Sequence, residues 1–250
     1  YPIVMGWQWG GGWLAELGFS DFAGSTLVHS TGGAAALAGA MIIGPRLGRF
    51  TKSGAPAPLK PFAASSIPLV TIGVFILWLG WFGFNGGSQL AMGTAVDAIA
   101  VSTIFMNTFL AGAGGVIGAA IITRLHFGKT DVVQMLNGCI GGLVAVTAEP
   151  LAPSPFAAIL IGAVGGLIVV YGTKLLFSLK IDDVVGAIPA HLFAGIWGTL
   201  IVPATNSDAV FSSQLIGVLS VNVFVFIVAY IVFSAIKATI GLRLSKEGET

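Results

Sequence analysis

The sequence predicts an all-α fold, a polytopic membrane helix bundle built from inverted repeats. Hydrophobic residues make up 56% of the 250 positions and charged residues 8%, whereas a soluble domain carries roughly 25% charge. Two histidines lie inside uncharged apolar stretches, and each follows an aspartate by eight positions, as Asp21–His29 and Asp183–His191. An ionisable side chain in a membrane helix is costly and marks a functional site. The net charge of +1 argues against nucleic acid as a partner.

Seven long stretches without charge predict seven spanning helices, because one span needs ~20 apolar residues. Six stretches reach that length, and the shorter 132–148 fits with its flanks. The stretches run over 22–45, 61–96, 98–123, 132–148, 150–173, 184–207 and 209–236. Residues 1–12 resemble the tail of an eighth span, so we expect the chain to be part of a longer protein. Glycines four apart, such as Gly114 and Gly118, indicate closely packed helices.

The basic residues predict the orientation in the cell membrane. If every span crosses, one side receives all the Lys and Arg residues, and the other receives only acidic ones. The basic side is then cytoplasmic, residues 1–21 lie outside, and the C-terminus is cytoplasmic. The longest connection, 45–60, lies on the cytoplasmic side. The basic residues are Arg46, Arg49, Lys52, Lys60, Arg124, Lys129, Lys174, Lys180, Lys237, Arg243 and Lys246, and the acidic ones opposite are Glu16, Asp21, Asp97, Glu149 and Asp208. Most of these charges are expected to be solvated loop residues.

This topology places both apolar histidines near the centre of the bilayer. Eight residues of helix rise ~12 Å, and half of the hydrocarbon core is ~15 Å. His29 descends from the outer end of its helix and His191 ascends from the inner end of another, which is the pattern of an inverted repeat. The alternative is two unrelated histidines, each hydrogen-bonded to a neighbouring helix, but matched spacing and depth favour a pair. Asp21 and Asp183 are expected to accept hydrogen bonds from the free N–H groups of these helices.

The remaining polar residues give weaker signals. Two histidines without a third ligand at depth predict no metal site, and no cofactor is expected. The absence of hydrolase and phosphate-loop motifs argues against an enzyme. His126 is expected to have an ordinary role in a cytoplasmic loop, Cys139 to pack in the interior, and Asn85 and Asn107 to form helix–helix hydrogen bonds. Paired imidazoles suit a small molecule that forms hydrogen bonds and gains or loses a proton.

Four segments carry a family resemblance that covers essentially the whole chain. They are WGGGWLAELGFSDFAGSTLVH, LWLGWFGFNGGS, MLNGCIGGLVAVTAE and DDVVGAIPAHLFAGIWG. They resemble the ammonium transporter (Amt/Mep/Rh) family. The resemblance implies eleven spans, of which this chain holds the end of the fourth to the eleventh. Residues 1–250 then form part of one ammonium transporter membrane domain, without the first three spans and most of the C-terminal tail.

The resemblance implies roles for residues deep in the bundle. His29 and His191 match the twin histidines that line the pore and relay a proton. Asp21 and Asp183 match the aspartates of the two repeats, and Trp81 matches a tryptophan that lines the pore beside the histidines.

The resemblance also implies an outer ammonium site. Trp9 matches its tryptophan, which offers a cation–π face, and Ser88 matches the serine that hydrogen-bonds the ion. Phe84 matches one of two phenylalanines that gate the pore. Trp9 favours the Amt branch over a neutral-gas channel of the Rh type, which lacks this aromatic residue.

The implied function is a transporter that moves ammonium as ammonia plus a separately relayed proton. The alternative is the ammonium sensor domain of a signalling protein, which binds ammonium with little or no transport. The implied partners are ammonium or ammonia, the lipid bilayer, two further subunits in a homotrimer, and a PII-type regulatory protein at the cytoplasmic face.

Overall fold

The computed structural model describes residues 1–50 and 62–249, and the regular structure in these ranges is helical. The chain begins with two short helices, α1 (Pro2–Gln8) and α2 (Trp13–Glu16). The next helices are α3 (Thr31–Ile43), α4 (Ile67–Gly87), α5 (Ala95–Phe127), α6 (Val132–Val146) and α7 (Pro155–Ser178). Then follow α8 (Ala194–Leu200), α9 (Phe211–Thr239) and the short α10 (Lys246–Glu249). Ser25–Ser30, the first π-helix, leads into α3, and Ile188–Phe193, the second π-helix, leads into α8.

Each of the seven predicted apolar stretches contains or overlaps one apolar helical segment. Within residues 1–50 and 62–249, five segments are long and apolar enough to cross a membrane, namely Ser25–Ile43, α4, α5, α7 and α9. Two are shorter, α6 and the broken segment Ile188–Ala204. The predicted class, an all-α polytopic membrane bundle, is confirmed. Lys52 and Lys60, and most of the predicted 45–60 connection, lie outside the described residues.

Side-chain caps fix where several helices begin. Ser66 accepts a hydrogen bond from the Leu69 N–H at the start of α4. Thr94 and Asp97 form a reciprocal capping box on α5. Such caps provide partners for N–H groups that the first helical turn leaves free. Ser66 and Thr94 therefore fix the first turns of α4 and α5.

Glycine contacts bring α5, α6 and α7 together. A methyl group added to Gly118 of α5 would lie 3.0 Å from the Ala163 Cα of α7, and one added to Gly142 of α6 would lie 3.0 Å from the Gly115 Cα of α5. In lipid, where packing drives association, this close approach of backbones is favourable. Cys139 is buried in an apolar cluster with residues of α4 and α6, as expected.

The structure shows the partners of three polar residues whose roles were predicted from the sequence. Asn85 Nδ2 donates to Thr108 Oγ1 at 3.0 Å and joins α4 to α5, as predicted. The prediction is wrong for Asn107, whose Nδ2 donates to loop carbonyls of Pro150 and Pro153. Pro150 and Pro153 lie in the connection between α6 and α7, so Asn107 joins α5 to a loop. His126 is not in a loop, because α5 continues to Phe127 and the Nε2 atom lies 2.7 Å from the hydroxyl of a tyrosine on α7.

A buried ion cluster anchors the chain after α3 to the loop after α7. Arg46 binds both carboxylate oxygens of Asp182 through Nε and Nη2, at 2.8 and 2.9 Å. Arg49 Nε donates to the same carboxylate at 3.1 Å, and its guanidinium lies 4.4 Å from the centre of the Phe177 ring. Arg49 and Asp182 are buried, unlike the solvated loop charges expected from sequence. No sequence pattern indicated this pairing, because its partners are separated by more than 130 positions.

The pKa of Asp182 reflects two opposing influences. Burial raises the pKa, but the hydrogen bonds and charge of Arg46, with the charge of Arg49, outweigh it and hold the pKa below its usual value of 3.8. The cluster therefore stabilises the fold fully above pH 3.8, and this contribution is lost as the pH falls through the lower, folded-state pKa.

Asp182→Asn should destabilise the protein at pH 7 by roughly 3 kcal/mol, because it leaves the buried Arg49 without its charged partner. Thermal unfolding in detergent would measure this, with the exposed Asp208→Asn as the control. The difference from wild type should shrink in strongly acidic buffer. Equal midpoints for Asp182→Asn and wild type at pH 7 would contradict the assigned role.

Candidate functional site

The first π-helix begins at a buried carboxylate. Asp21 accepts hydrogen bonds from the four consecutive backbone N–H groups of residues 24–27, at 2.8 to 3.0 Å. Gly24 precedes the helix with a φ of 115°, a left-handed conformation that glycine adopts without strain. Burial raises the pKa of Asp21 to about 6, against the opposing effect of the four N–H groups. The carboxylate is therefore mainly ionised at neutral pH, where both oxygens accept.

The second π-helix begins in the same way. Asp183 accepts from the N–H groups of Val185, Gly186, Ala187 and Ile188, at 2.7 to 3.3 Å. Both aspartates thus satisfy the first free N–H groups of the helix that carries a histidine eight residues later. A π-helix has a wider turn than an α-helix and occurs frequently at functional sites. Neither π-helix was predicted, because one widened turn leaves almost no trace in an apolar sequence pattern.

Gln214 of α9 fixes the chain just before Asp21. Its fully buried amide oxygen accepts from the Ser20 N–H at 2.7 Å. Its amide nitrogen donates to the carbonyls of Ser20, at 2.6 Å, and Thr199, at 3.0 Å. Gln214 was not predicted from the sequence. An uncharged polar residue inside an apolar span is the signal that could have identified it.

The two π-helices bring His29 and His191 together. Their Nδ1 atoms lie 3.2 Å apart, and their rings are nearly parallel with centroids 5.3 Å apart. Two Nδ1 atoms at this distance require one to donate and the other to accept, so the two neutral imidazoles must be opposite tautomers. The Nε2 atom of His29 is buried without a protein partner among the described residues. The pair can therefore pass a proton between the rings and still offer a hydrogen-bonding atom to a small molecule.

Aromatic residues of α4 form one wall beside His29. Trp81 stacks on the His29 ring with a centroid distance of 4.8 Å, and its Nε1 donates to Thr147 Oγ1 at 2.9 Å. The Phe84 ring lies 5.4 Å from His29 and 6.0 Å from Trp81. Thr147 was not singled out in the sequence, because its importance depends on a tryptophan from another helix. The wall leaves His29 with apolar neighbours on this side.

A cavity of about 280 Å³ lies against both imidazoles. It is lined by Val28, His29, Gly32, Gly33, Ala187 and His191. Apart from the histidines, these residues are small or apolar, so they provide few polar contacts to a bound ion. Among the described residues, no cluster of three or more His, Cys, Asp or Glu side chains could hold a metal ion.

Trp9 and Ser88 do not contact the histidine pair themselves. Each one hydrogen-bonds the backbone of a residue that contacts or positions His29. The Trp9 indole is 39% exposed, and its Nε1 donates to the backbone carbonyl of Asp21 at 2.9 Å. Ser88 follows α4, and its hydroxyl donates to the Phe84 carbonyl at 2.8 Å. That bond uses the hydroxyl proton, so the oxygen lone pairs can accept a hydrogen bond.

The fold and the site together define a multi-pass membrane protein with a histidine pair in its apolar interior. The chain belongs to the ammonium transporter family, because the sequence profile of the Ammonium Transporter Family matches residues 1–250. The family resemblance seen in the sequence is thereby confirmed.

Several relatives match over the whole chain. It is 39% identical to ammonium transporter Amt2 of Archaeoglobus fulgidus and covers 58% of that protein. It is 38% identical to Amt1 of the same organism and covers 63% of it. The chain therefore spans about six-tenths of the length of these relatives.

Solved structures match the fold. A structure titled Sensor Amt Protein matches all of this chain with a TM-score of 0.92 and 33% identity, over 64% of its own length. The crystal structure of Candida albicans Mep2 matches 98% of this chain with a TM-score of 0.85 and 27% identity, over 57% of its own length.

Asp21→Asn should destabilise the protein more than Asp97→Asn does. The amide introduced by Asp21→Asn would keep one acceptor oxygen and would turn an N–H donor toward backbone N–H groups, leaving buried donors unpaired at about 1–3 kcal/mol each. The exposed cap at Asp97 is worth only about 1 kcal/mol. Thermal unfolding of both variants in detergent would compare them, and equal losses would contradict the role assigned to Asp21.

Proposed function

We propose that the chain forms the conducting part of an ammonium transporter in which ammonia and a proton travel separately. The hydrogen-bonded contact between His29 and His191 beside a small cavity is the observation that carries this proposal. The cavity walls are too apolar to solvate a bare cation, which costs several kcal/mol or more to bury without partners. Ammonium can enter by releasing its proton, whereas potassium has no proton to release.

The outer residues would select ammonium before it reaches this cavity. The exposed indole of Trp9 offers a cation–π face, and the Ser88 oxygen can accept a hydrogen bond from the ion. Phe84 would limit passage toward His29, since its ring lies 5.4 Å from the imidazole. Trp81 would hold His29 in place by stacking, and Asp21 and Asp183 would fix the two π-helices.

The assembly and orientation complete the proposal. Residues 1–21 would face outside, where Trp9 could meet ammonium, and the C-terminus would face the cytoplasm. Three subunits would each contain one pore, as the family resemblance implies. A PII-type protein would act at the cytoplasmic face, where Arg46, Arg49 and Asp182 join two connections.

A second candidate function is ammonium sensing. The match to the Sensor Amt Protein, with a TM-score of 0.92, favours it specifically. A sensor would bind ammonium through the same outer residues with little or no flux. Ammonium-evoked current across proteoliposomes separates the two functions, because a sensor binds ammonium without giving this current.

His29→Ala and His191→Ala should each reduce the ammonium-evoked current on the order of 100-fold, the effect expected when a proton-transfer group is removed. Solid-supported-membrane recordings of reconstituted protein would measure this. His126→Ala is the matched control, because this histidine lies on the surface and pairs with a tyrosine. Wild-type currents in either pore variant would contradict the proton-relay role.

Trp9→Leu should raise the ammonium concentration that half-saturates transport by about 2- to 30-fold, the equivalent of losing ~0.5–2 kcal/mol of cation–π attraction. Trp13→Leu provides the control, since Trp13 is similarly exposed, at 43%, and its ring lies 5.7 Å from the Trp7 ring in a tilted arrangement. Unchanged half-saturation and unchanged discrimination against potassium would remove Trp9 from the outer site.

A further inference from the structure

Each histidine of the pair is followed four residues later by a glycine. Gly33 follows His29, and Gly195 follows His191. Gly33 of α3 and Gly195 of α8 are both buried, beside the crossing where the first and second π-helices pack on each other. Their contacts across this crossing are reciprocal.

Gly33 lies against the backbone beside His191. A Cβ added to Gly33 would lie 2.7 Å from the Cβ and 2.8 Å from the Cα of Leu192, and closer still to its backbone nitrogen. Real Cβ atoms essentially never come within 3.0 Å of another atom in this way. The glycine therefore allows the two backbones to approach closely next to the second histidine.

Gly195 lies against the backbone beside His29. A Cβ added there would collide with the Ser25 carbonyl oxygen and lie 3.3 Å from both the backbone nitrogen and the Cβ of Ser30. Ser30 directly follows His29, as Leu192 directly follows His191. Each glycine thus packs on the residue after the histidine of the opposite helix.

Hydrogen bonds hold the same crossing together. The Ser30 hydroxyl donates to Asn222 Oδ1 at 2.9 Å and shares this proton with the Leu192 carbonyl, at 3.3 Å. The Thr26 and Thr199 hydroxyls lie 2.7 Å apart and join the two histidine-bearing segments directly. A side chain inserted between them would separate the backbones and the imidazoles together.

We propose that Gly33 and Gly195 are positioning residues that set the distance between the His29 and His191 imidazoles. This inference rests on the proposed relay function of the pair. An ordinary contact at Gly33 begins near 3.4 Å, so an alanine there must move Leu192 by more than half an ångström. The Nδ1–Nδ1 distance of 3.2 Å would then exceed the range of a hydrogen bond.

The test uses Gly33→Ala and Gly195→Ala in the full-length protein with two matched controls. Gly118→Ala introduces a comparable overlap at the α5–α7 contact, because its Cβ would collide with the Ala163 carbonyl oxygen and lie 2.9 Å from the Ala163 carbonyl carbon. Gly73→Ala adds a methyl group on α4 where no atom lies within 4 Å. The first control reports general damage from tight packing, and the second reports the effect of replacing a membrane-helix glycine.

Two measurements are made on each protein. Crystal structures give the Nδ1–Nδ1 distance, which should exceed 3.5 Å in the two test variants and stay near 3.2 Å in the controls. Proteoliposomes give the ratio of ammonium-evoked charge movement to substrate uptake. This ratio should fall on the order of 10- to 100-fold in the test variants, as expected for a misplaced reacting group. A purely structural defect lowers both quantities and leaves their ratio unchanged.

The outcomes separate this inference from the proposed function. An unchanged Nδ1–Nδ1 distance in the test variants, or an equal fall of the ratio in Gly118→Ala, overturns the positioning role. If wild type moves no charge while the distances change as expected, the glycines still position the pair and the transport proposal fails.

Discussion

The structure depends on two carboxylates that each accept hydrogen bonds from four backbone N–H groups. Asp21 and Asp183 accept from the N–H groups that precede and open the two π-helices. The four N–H groups bound by Asp21 are buried and would lack partners without it, whereas those bound by Asp183 are exposed or part-buried. The positions of the helix starts then determine where His29 and His191 lie relative to one another. Everything that the histidine pair can do follows from these two fixed starting points.

Side chains from other parts of the fold bind the residue that directly precedes each of these aspartates. Near the first, Gln214 of α9 binds the backbone of Ser20, directly before Asp21. Near the second, Arg46 and Arg49 bind Asp182, directly before Asp183. The connection after α3 is thereby joined to the helix that carries His191.

The histidine pair has a polar and an apolar side. The imidazoles bind one another at 3.2 Å, while Trp81 and Phe84 cover His29 with rings. In the proposed function, the polar contact provides a route for a proton and the apolar surroundings exclude a bare cation. Both properties are needed, since a pair in a wet channel would not discriminate by charge.

The sequence by itself determined the class of fold and the approximate limits of the helices, because the lack of charge is a local property, and the eight-residue spacing singled out the two histidines as a pair. It also indicated the family through its motifs. Only the tertiary structure decided that the two Nδ1 atoms meet, that the histidines lie on π-helices, that Asn107 binds a loop, and that Arg49 and Asp182 are buried together. The contacts among these features join residues that are more than forty, and often more than a hundred, positions apart in the sequence. Apolar helices without a strongly one-sided pattern do not encode which of their faces will touch.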